Sequence, residues 1–304
     1  MYFLKVGKQN VKITHSQNIL FPKHNISKNE VVIYYYNISS IMLPHIKNRA
    51  ITMQRFTGGI DQEGFYQKNI ADYFPAWIPR IPIKKKGDGV VNYAVCNNAA
   101  TLVYLANQLC ITPHIWLSKI DKLDFPDKMI FDLDPSTKDF GLVRKTAKYL
   151  KKILEDLGLK TYVMTTGSRG LHVVVPLDKK HNFNYVRAFA KDIAKILVNQ
   201  HPEMLTIEIR KAKRGKKIFI DTFRNSFAQT SVAPYAVRAK PGAPIATPID
   251  WREVTSTLLP NKYTIKNIFK RLSKKEDPWK NIKKDVCSLK SARKKLDSLL
   301  KENS

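Results

Sequence analysis

The sequence predicts an α/β (α+β) protein whose second half holds a β-α-β-β-α-β unit. Three observations carry this. Residues 128–134, KMIFDLD, alternate in the manner of a strand. Apolar residues recur at helical spacing over 138–157 and again over 183–199. Between those two stretches, a pair of short apolar runs flanks a turn containing Gly167 and Gly170.

From the N-terminus, residues 11–125 read as mixed and irregular. The clear element there is a helix over Lys28–Leu43, with Ser27 placed as its N-cap. Pro75, Pro79 and Pro82 predict a loop, and Asn98–Cys110 predicts a second helix. From Lys128 the pattern sharpens. Lys128–Asp134 is a strand, and Lys138–Leu157 is a helix followed by Gly158, where a C-cap glycine belongs. Lys160–Thr165 and Leu171–Leu177 are strands, Phe183–Asn199 is a helix, and Lys216–Asp221 is a last strand. This order is the ferredoxin-like split unit, shared with RNA-recognition and polymerase palm folds. The tail from Thr264 is lysine-rich, with a helix expected over Ser288–Leu300. The expected organisation is an N-terminal lobe over 1–125, a catalytic lobe over 126–263 and a basic helical tail over 264–304.

Lys and Arg total 53 against 25 acids in 304 residues, a formal charge of +28. Basic residues run through the whole chain, interleaved with aromatics, which points to a polyanionic partner, nucleic acid foremost. An anionic membrane surface is the next candidate, but no basic helix with a clean apolar face stands out. The first residues lack the apolar core of a signal peptide, and no stretch approaches a membrane span. Cys96, Cys110 and Cys287 are odd in number, widely spaced and in no CxxC pair. Neither a disulfide framework nor a zinc site is expected, and the expected compartment is a reducing cytoplasm.

Asp132 and Asp134 stand two apart on a strand and therefore share a face. Burying two unpaired carboxylates is costly, so a divalent cation between them makes sense of the pair. Alone, such a pair also fits a solvated strand end. The apolar neighbours Met129, Ile130, Phe131 and Leu133, with Pro135 just after, favour a buried strand delivering acids to a cleft. Asp221 ends the last strand of the unit. The first and last strands are expected on different sides of the sheet, with side chains that still converge. Three carboxylates suit a hard cation that keeps water and phosphates as its other ligands. Two such ions would activate a 3′-hydroxyl and stabilise leaving pyrophosphate.

The segment Thr165–His172 joins two strands. Its glycines allow close backbone approach to a ligand, and its amides can form an anion nest. The hydroxyls of Thr166 and Ser168 and the guanidinium of Arg169 add donors for phosphate. His172 opens an apolar strand, where a histidine is often a satisfied core residue. Its place directly after a phosphate-like turn favours a triphosphate contact.

Taken together, FDLDP, TTGSRGLHVVVPL and KIFIDTFRNSFAQTSVAPYAVRAKPGAPIATPIDW resemble the polymerase domain of bacterial and archaeal DNA ligase D, of the archaeo-eukaryotic primase superfamily. ILFP, YYYNISSIMLPHIKNRAITMQRFTGGIDQEGFYQK and RLSKKEDPW agree, so the resemblance spans roughly residues 13–282. It implies a primase-type two-lobed fold, with the N-terminal lobe binding the DNA end and template. It implies nucleotide addition at broken ends in Ku-dependent non-homologous end joining, with ribonucleotides favoured. It also implies two metal ions, Mn2+ favoured, with Mg2+ the alternative.

Asp132, Asp134 and Asp221 fall on the family's metal-binding, catalytic acids. Thr166 stands where the family has a nucleotide-contacting serine and keeps the hydroxyl; Arg169 replaces a triphosphate-binding lysine and keeps the charge. His172 matches the histidine of that turn, and His114 a second histidine near the site. Arg224 and Arg238 match basic or polar positions after the third acid. Phe65 and Tyr66 stand where two phenylalanines are usual; they would stack on template bases unless they are a core pair. Arg55 and Lys68 flank them and would contact phosphates. A 5′-phosphate pocket is usually built by two lysines. Lys28 is one of them; Asn18 occupies the other position and weakens the pocket. A solvated first-turn residue is the other reading of Lys28.

No KxDG ligase motif occurs. The start at Met1 and the degenerate basic tail favour a stand-alone prokaryotic protein, cytoplasmic and nucleoid-associated. Its expected partners are 5′-phosphorylated DNA ends, nucleoside triphosphates, Ku and a separately encoded ligase, with no membrane. Two other readings stay open: a replicative or plasmid primase of the same superfamily, and a DNA end-bridging protein with secondary catalysis.

Overall fold

The computed structural model describes residues 1–84 and 87–302. The chain begins with strands β1 (Tyr2–Val6), β2 (Gln9–Ile13), β3 (Ile19–Phe21) and β4 (Ile26–Ser27), then helix α1 (Lys28–Ile46). There follow β5 (Ala50–Arg55), β6 (Phe65–Gln67), β7 (Arg80–Lys84), β8 (Val90–Val95), α2 (Ala99–Asn107) and β9 (Cys110–Trp116). The second half holds β10 (Lys128–Pro135), α3 (Phe140–Asp156), β11 (Tyr162–Thr165), β12 (Leu171–Pro176) and α4 (Phe183–Gln200). After them come β13 (Leu205–Thr206), β14 (Ile218–Asp221), β15 (Thr230–Val232), β16 (Pro248–Ile249), α5 (Ile268–Leu272) and α6 (Leu289–Glu302). This mixed architecture is the α/β class expected.

The chain divides into two compact units. The first comprises residues 1–116, 230–247 and 263–274, the second residues 117–229, 248–262 and, among the described residues, 275–302. The division differs from a linear cut at 125 and 263. Residues 230–247 belong with the first unit because β15 pairs with β9, Val232 opposite His114. The tail is likewise shared, its last stretch packing α6 on α4.

The first unit is more regular than its sequence suggests. Its sheet runs β15-β9-β5-β8-β7, with β6 on β5. Several of these strands are short, and short irregular runs carry little periodicity. Pro82 was expected in a loop but lies in β7, opposite Asn92. β7 is an edge strand, where a missing amide donor costs nothing. Helix α1 begins where expected: the Ser27 hydroxyl accepts from the Glu30 amide and Glu30 accepts from the Ser27 amide, a capping box.

The second unit contains the split unit. Its sheet runs β13-β14-β10-β12-β11-β16. One expectation is overturned here: β14 and β10, the last and first strands of the unit, are neighbours and pair antiparallel. The ferredoxin-like order sets the last strand of the unit beside the first, in the row β14-β10-β12-β11, which chain order alone conceals. Met129, Phe131 and Leu133 point away from the acids and are fully buried. Helices α3 and α4 both pack on β10, and each such burial is worth about 1.5–3 kcal/mol. α3 is a basic helix with a clean apolar side, which the sequence reading overlooked. Phe140, Val143, Ala147, Leu150 and Leu154 cover that side against the sheet. Among the described residues no helix is long and apolar enough to cross a membrane.

Candidate active site

The sheet register assembles the site. Asp132 is directly opposite Asp221 on β14 and directly opposite His172 on β12. Opposed residues share a face, so the three form one row across three strands. Asp134 is the next residue on that face of β10. The side chains of Asp132 and Asp221 are each 16% exposed.

Two like charges in register would repel, and the structure offsets them. His172 Nε2 lies 3.3 Å from Asp132 Oδ1. Arg224 Nε lies 3.3 Å from Asp132 Oδ2 and 3.8 Å from Asp221 Oδ2, bridging the pair. The Phe223 amide donates to Asp221 Oδ1 at 2.7 Å. Burial alone would raise the Asp132 carboxyl, but the His172 ring and the Arg224 guanidinium outweigh it, and the group is held well below the ordinary carboxylate range. Asp221 is pushed up by burial; the Phe223 amide opposes this, and the Asp132 charge adds to it. Asp134 is more open and faces two other cations: Arg169 at 2.9 Å and Arg214 at 3.5 Å.

The turn before β12 is held from within. The Thr166 hydroxyl accepts from the amides of Gly170 (3.1 Å) and Ser168 (3.3 Å) and donates to the Gly170 carbonyl (3.1 Å). Thr166 is buried, so its hydroxyl organises the turn rather than projecting from it. Gly167 has φ 64°, a conformation that favours glycine. At Gly170 a Cβ would stand 2.0 Å from the Leu133 carbonyl oxygen, so only glycine lets the turn close against β10. The turn leaves Ser168 half-buried and Arg169 exposed beside Asp134.

Arg214 was missed by sequence reading, because it sits in the basic run KAKRGKK, where charge looks like a solvated surface. Its guanidinium lies 3.7 Å over the Phe219 ring. Its Nε and one terminal nitrogen donate to the carbonyls of Glu208 and Ile209, both at 2.8 Å. Phe219 is directly opposite Asp134, and the third guanidinium nitrogen faces that carboxylate. A fork committed on three sides is pre-organised for an anion.

Among the described residues no group of three or more His, Cys, Asp and Glu side chains is gathered as around a metal ion. The chemistry of Asp132 and Asp221 nonetheless fits a hard cation: two opposed, partly buried carboxylates share one guanidinium, and Asp221 is pushed up by burial and, further, by the Asp132 charge. Asp134 shares their face, with its oxygens turned to arginines.

The other candidates belong to the first unit. His114, on β9, is buried opposite Thr52, and the Tyr66 ring lies edge-on to it at 5.4 Å. Phe65 and Tyr66 are 45% and 57% exposed, so they are not a core pair. Arg55 lies 5.6 Å over the Phe65 ring and donates to the Gln67 side chain and the Gln108 carbonyl. Lys68 is exposed. The Arg238 amide donates to the Pro244 carbonyl. Lys28 is buried, not a solvated first-turn residue: its ammonium donates to the Thr14 carbonyl at 2.6 Å and contacts the Thr14 hydroxyl at 3.3 Å. Burial lowers its pKa to about 8. The Lys28 amide donates to the Asn18 carbonyl at 2.7 Å, so the two pocket candidates are joined, with the Asn18 side chain exposed.

Comparison with known proteins agrees with this geometry. The family model described as LigD, primase-polymerase domain, matches residues 27–279. The bifunctional non-homologous end joining protein LigD of Bacillus subtilis is 31% identical over 271 residues, 88% of this chain and 43% of that protein. The multifunctional LigD of Mycolicibacterium smegmatis is 30% identical over 249 residues, 81% of this chain and 32% of that protein. The chain thus spans less than half the length of these curated relatives. A solved structure of the polymerase domain of Mycobacterium tuberculosis ligase D in complex with DNA superposes with a TM-score of 0.85 at 26% identity, covering 92% of this chain and all of that one. A register that sets three acids and a histidine on one sheet face, in a chain matched across most of its length, leads to one conclusion: this chain belongs to the LigD primase-polymerase domain family.

Proposed function

We propose that the chain is a metal-dependent nucleotidyltransferase, a primase-type polymerase that fills gaps and extends DNA ends in Ku-dependent non-homologous end joining. The observation that carries this is the row Asp221–Asp132–His172, with Asp134 one step along the same face and the Gly167–Gly170 turn closing beside it. Asp132 and Asp221, with Asp134, would hold the divalent metal, two ions with Mn2+ favoured over Mg2+; when bound, it supplies Lewis-acid stabilisation of phosphoryl oxygens and a more acidic attacking hydroxyl.

The chain's own residues supply the rest. His172, on the neighbouring strand, would orient the Asp132 carboxylate through its Nε2, 3.3 Å from Oδ1. Arg169, Arg214 and Arg224 already face carboxylates. As planar forks they suit the oxygens of a nucleoside triphosphate, which would take over part of these contacts. Ser168, His114 and Arg238 are further nucleotide contacts in this reading. Phe65 and Tyr66 offer exposed rings for template bases, and Arg55 and Lys68 offer cations for phosphates. Lys28 and Asn18 would form the holder of a 5′-phosphate at a gap. Preference for ribonucleotides, cooperation with Ku and a ligase, and a nucleoid-associated place in a prokaryotic cell belong to the same proposal.

The test is extension of a gapped, 5′-phosphorylated duplex with ribo- and deoxyribonucleotides, with and without Mn2+. Metal-dependent addition, faster with ribonucleotides, is the expected result. No addition with any metal or nucleotide overturns the reading.

A further inference from the structure

The β1–β2 hairpin lies outside residues 27–279, and neither the acids nor the phosphate pocket uses it. Its two faces differ sharply. Val6, Val11 and Ile13 point inward and are buried. Phe3, Lys5, Asn10 and Lys12 point outward and are exposed. On this outer face Phe3 stands directly opposite Lys12, and Lys5 directly opposite Asn10. Phe3 is 65% exposed, a large apolar ring that the fold leaves in water, with Lys12 opposite it and Lys5 two residues along its own strand.

The hairpin is also fixed to the N-terminus of α1. The Tyr2 hydroxyl donates to the Asn29 side chain at 2.6 Å. The Asn107 side chain accepts from the Thr14 amide and donates to the Lys12 carbonyl. Thr14 in turn receives the Lys28 ammonium. Lys12 precedes Thr14 by two residues, about 7 Å along an extended chain, which equals roughly two base steps of a DNA strand. A platform of aromatic and basic side chains therefore begins two residues along the chain from the Thr14 carbonyl that receives the Lys28 ammonium.

We propose that the outer face of the β1–β2 hairpin binds unpaired nucleotides next to the 5′-phosphate, with Phe3 stacking on a base and Lys5 and Lys12 meeting the backbone. An exposed ring beside two lysines of the same face fits this partner because every base presents a π-face and every linkage a charge. The proposal rests on the reading of Lys28 as the 5′-phosphate holder.

The experiment measures fluorescence-anisotropy affinity for a 5′-phosphorylated oligo-dT, the same strand with a 5′-hydroxyl, and a blunt duplex of equal length. Phe3→Ala should weaken binding to the phosphorylated single strand by about fivefold or more and leave the blunt duplex nearly unchanged. Phe3→Trp should restore single-strand affinity, which a purely structural role would not require. Lys5→Ala and Lys12→Ala should each lower the single-strand salt slope by about 0.7. Unchanged melting temperatures certify the fold, since Phe3 makes little of the core. Wild-type affinity in Phe3→Ala, or an equal loss on both probes, overturns the proposal. If Phe3→Ala is silent while Lys28→Ala still erases the phosphate preference, the hairpin assignment fails and the pocket stands. If Phe3→Ala weakens the single strand but Lys28→Ala leaves the phosphate preference intact, the pocket fails and the hairpin binds unpaired strands without it.

Discussion

At the scale of single residues, acids and cations have separable tasks. Asp132→Asn, Asp134→Asn or Asp221→Asn should reduce nucleotide addition by roughly 10²-fold or more, because a divalent metal contributes several kcal/mol at the transition state. Duplex affinity should hardly change; an asparagine variant with near-normal extension would remove that residue from the metal site. Lys28 makes a pH-dependent prediction. Its pKa is lowered to about 8, so the ammonium is present below that pH and lost as pH rises through it, whereas an ordinary lysine stays charged to about 10.4. The preference for a 5′-phosphorylated over a 5′-hydroxyl gap should therefore decline from about pH 8 upward, with a flatter profile in Lys28→Arg. Asn18→Lys should enlarge the preference, since a charge-assisted bond to phosphate is about twice as strong as a neutral one. Stability runs the other way. Between about pH 8 and the ordinary lysine value the unfolded chain binds more protons than the folded one, so stability rises with pH across that window. The exposed pair Phe65 and Tyr66 adds a third residue-level expectation: alanine at either should cost templated addition about 1–3 kcal/mol and template-free addition much less, as measured by the ratio of the two rates.

At the scale of elements, the turn from Thr166 to Gly170 is the part most sensitive to small changes. Gly170→Ala places a methyl 2.0 Å from a backbone oxygen, a clash that no side-chain rotation relieves. The turn or β10 must shift, at a cost of about 1–3 kcal/mol, and Arg169 leaves its position beside Asp134. Thermal melting and extension assays should both register it. Thr166→Val removes a hydroxyl with three partners inside the turn. Two amides lose their acceptor, and the expected destabilisation is about 1–3 kcal/mol. Thr166→Ser keeps the oxygen and should be nearly neutral, so the contrast between the two variants isolates the hydrogen bonds from the packing.

At the scale of the whole molecule, charge dominates. With +28 on 304 residues, DNA binding should release many counterions, each neutralised phosphate of a duplex contributing about −0.9 to the slope of log K against log salt. A titration from low to physiological salt should give a steep slope, and a flat one would remove nucleic acid as the main partner. The slope should persist in the asparagine variants of the three acids, because the phosphate-binding cations remain.

Much of this protein could be read locally. Alternation over β10, the helical periodicity of α3 and α4, the cap of α1 and the glycines of the turn are properties of neighbouring residues, and sequence shows them directly. The two-residue spacing of Asp132 and Asp134 was enough to put them on one face. Other features arise from pairings distant in the chain. Asp221 stands opposite Asp132 only because β14 docks beside β10, and strand order in a sheet is set by long-range hydrogen bonds and packing. Arg214 partners Asp134 only because Phe219 and two carbonyls hold its fork. The Thr166 hydroxyl turned inward because Gly170 approaches it across the turn. The same holds for the placement of 230–247 with the first unit, through β15 on β9. The sequence by itself determined which chemistry the chain carries, since residue type and local period are written in it. Only the tertiary structure decided which of those groups meet, because contacts between residues 35 to 92 positions apart depend on the sheet that joins them.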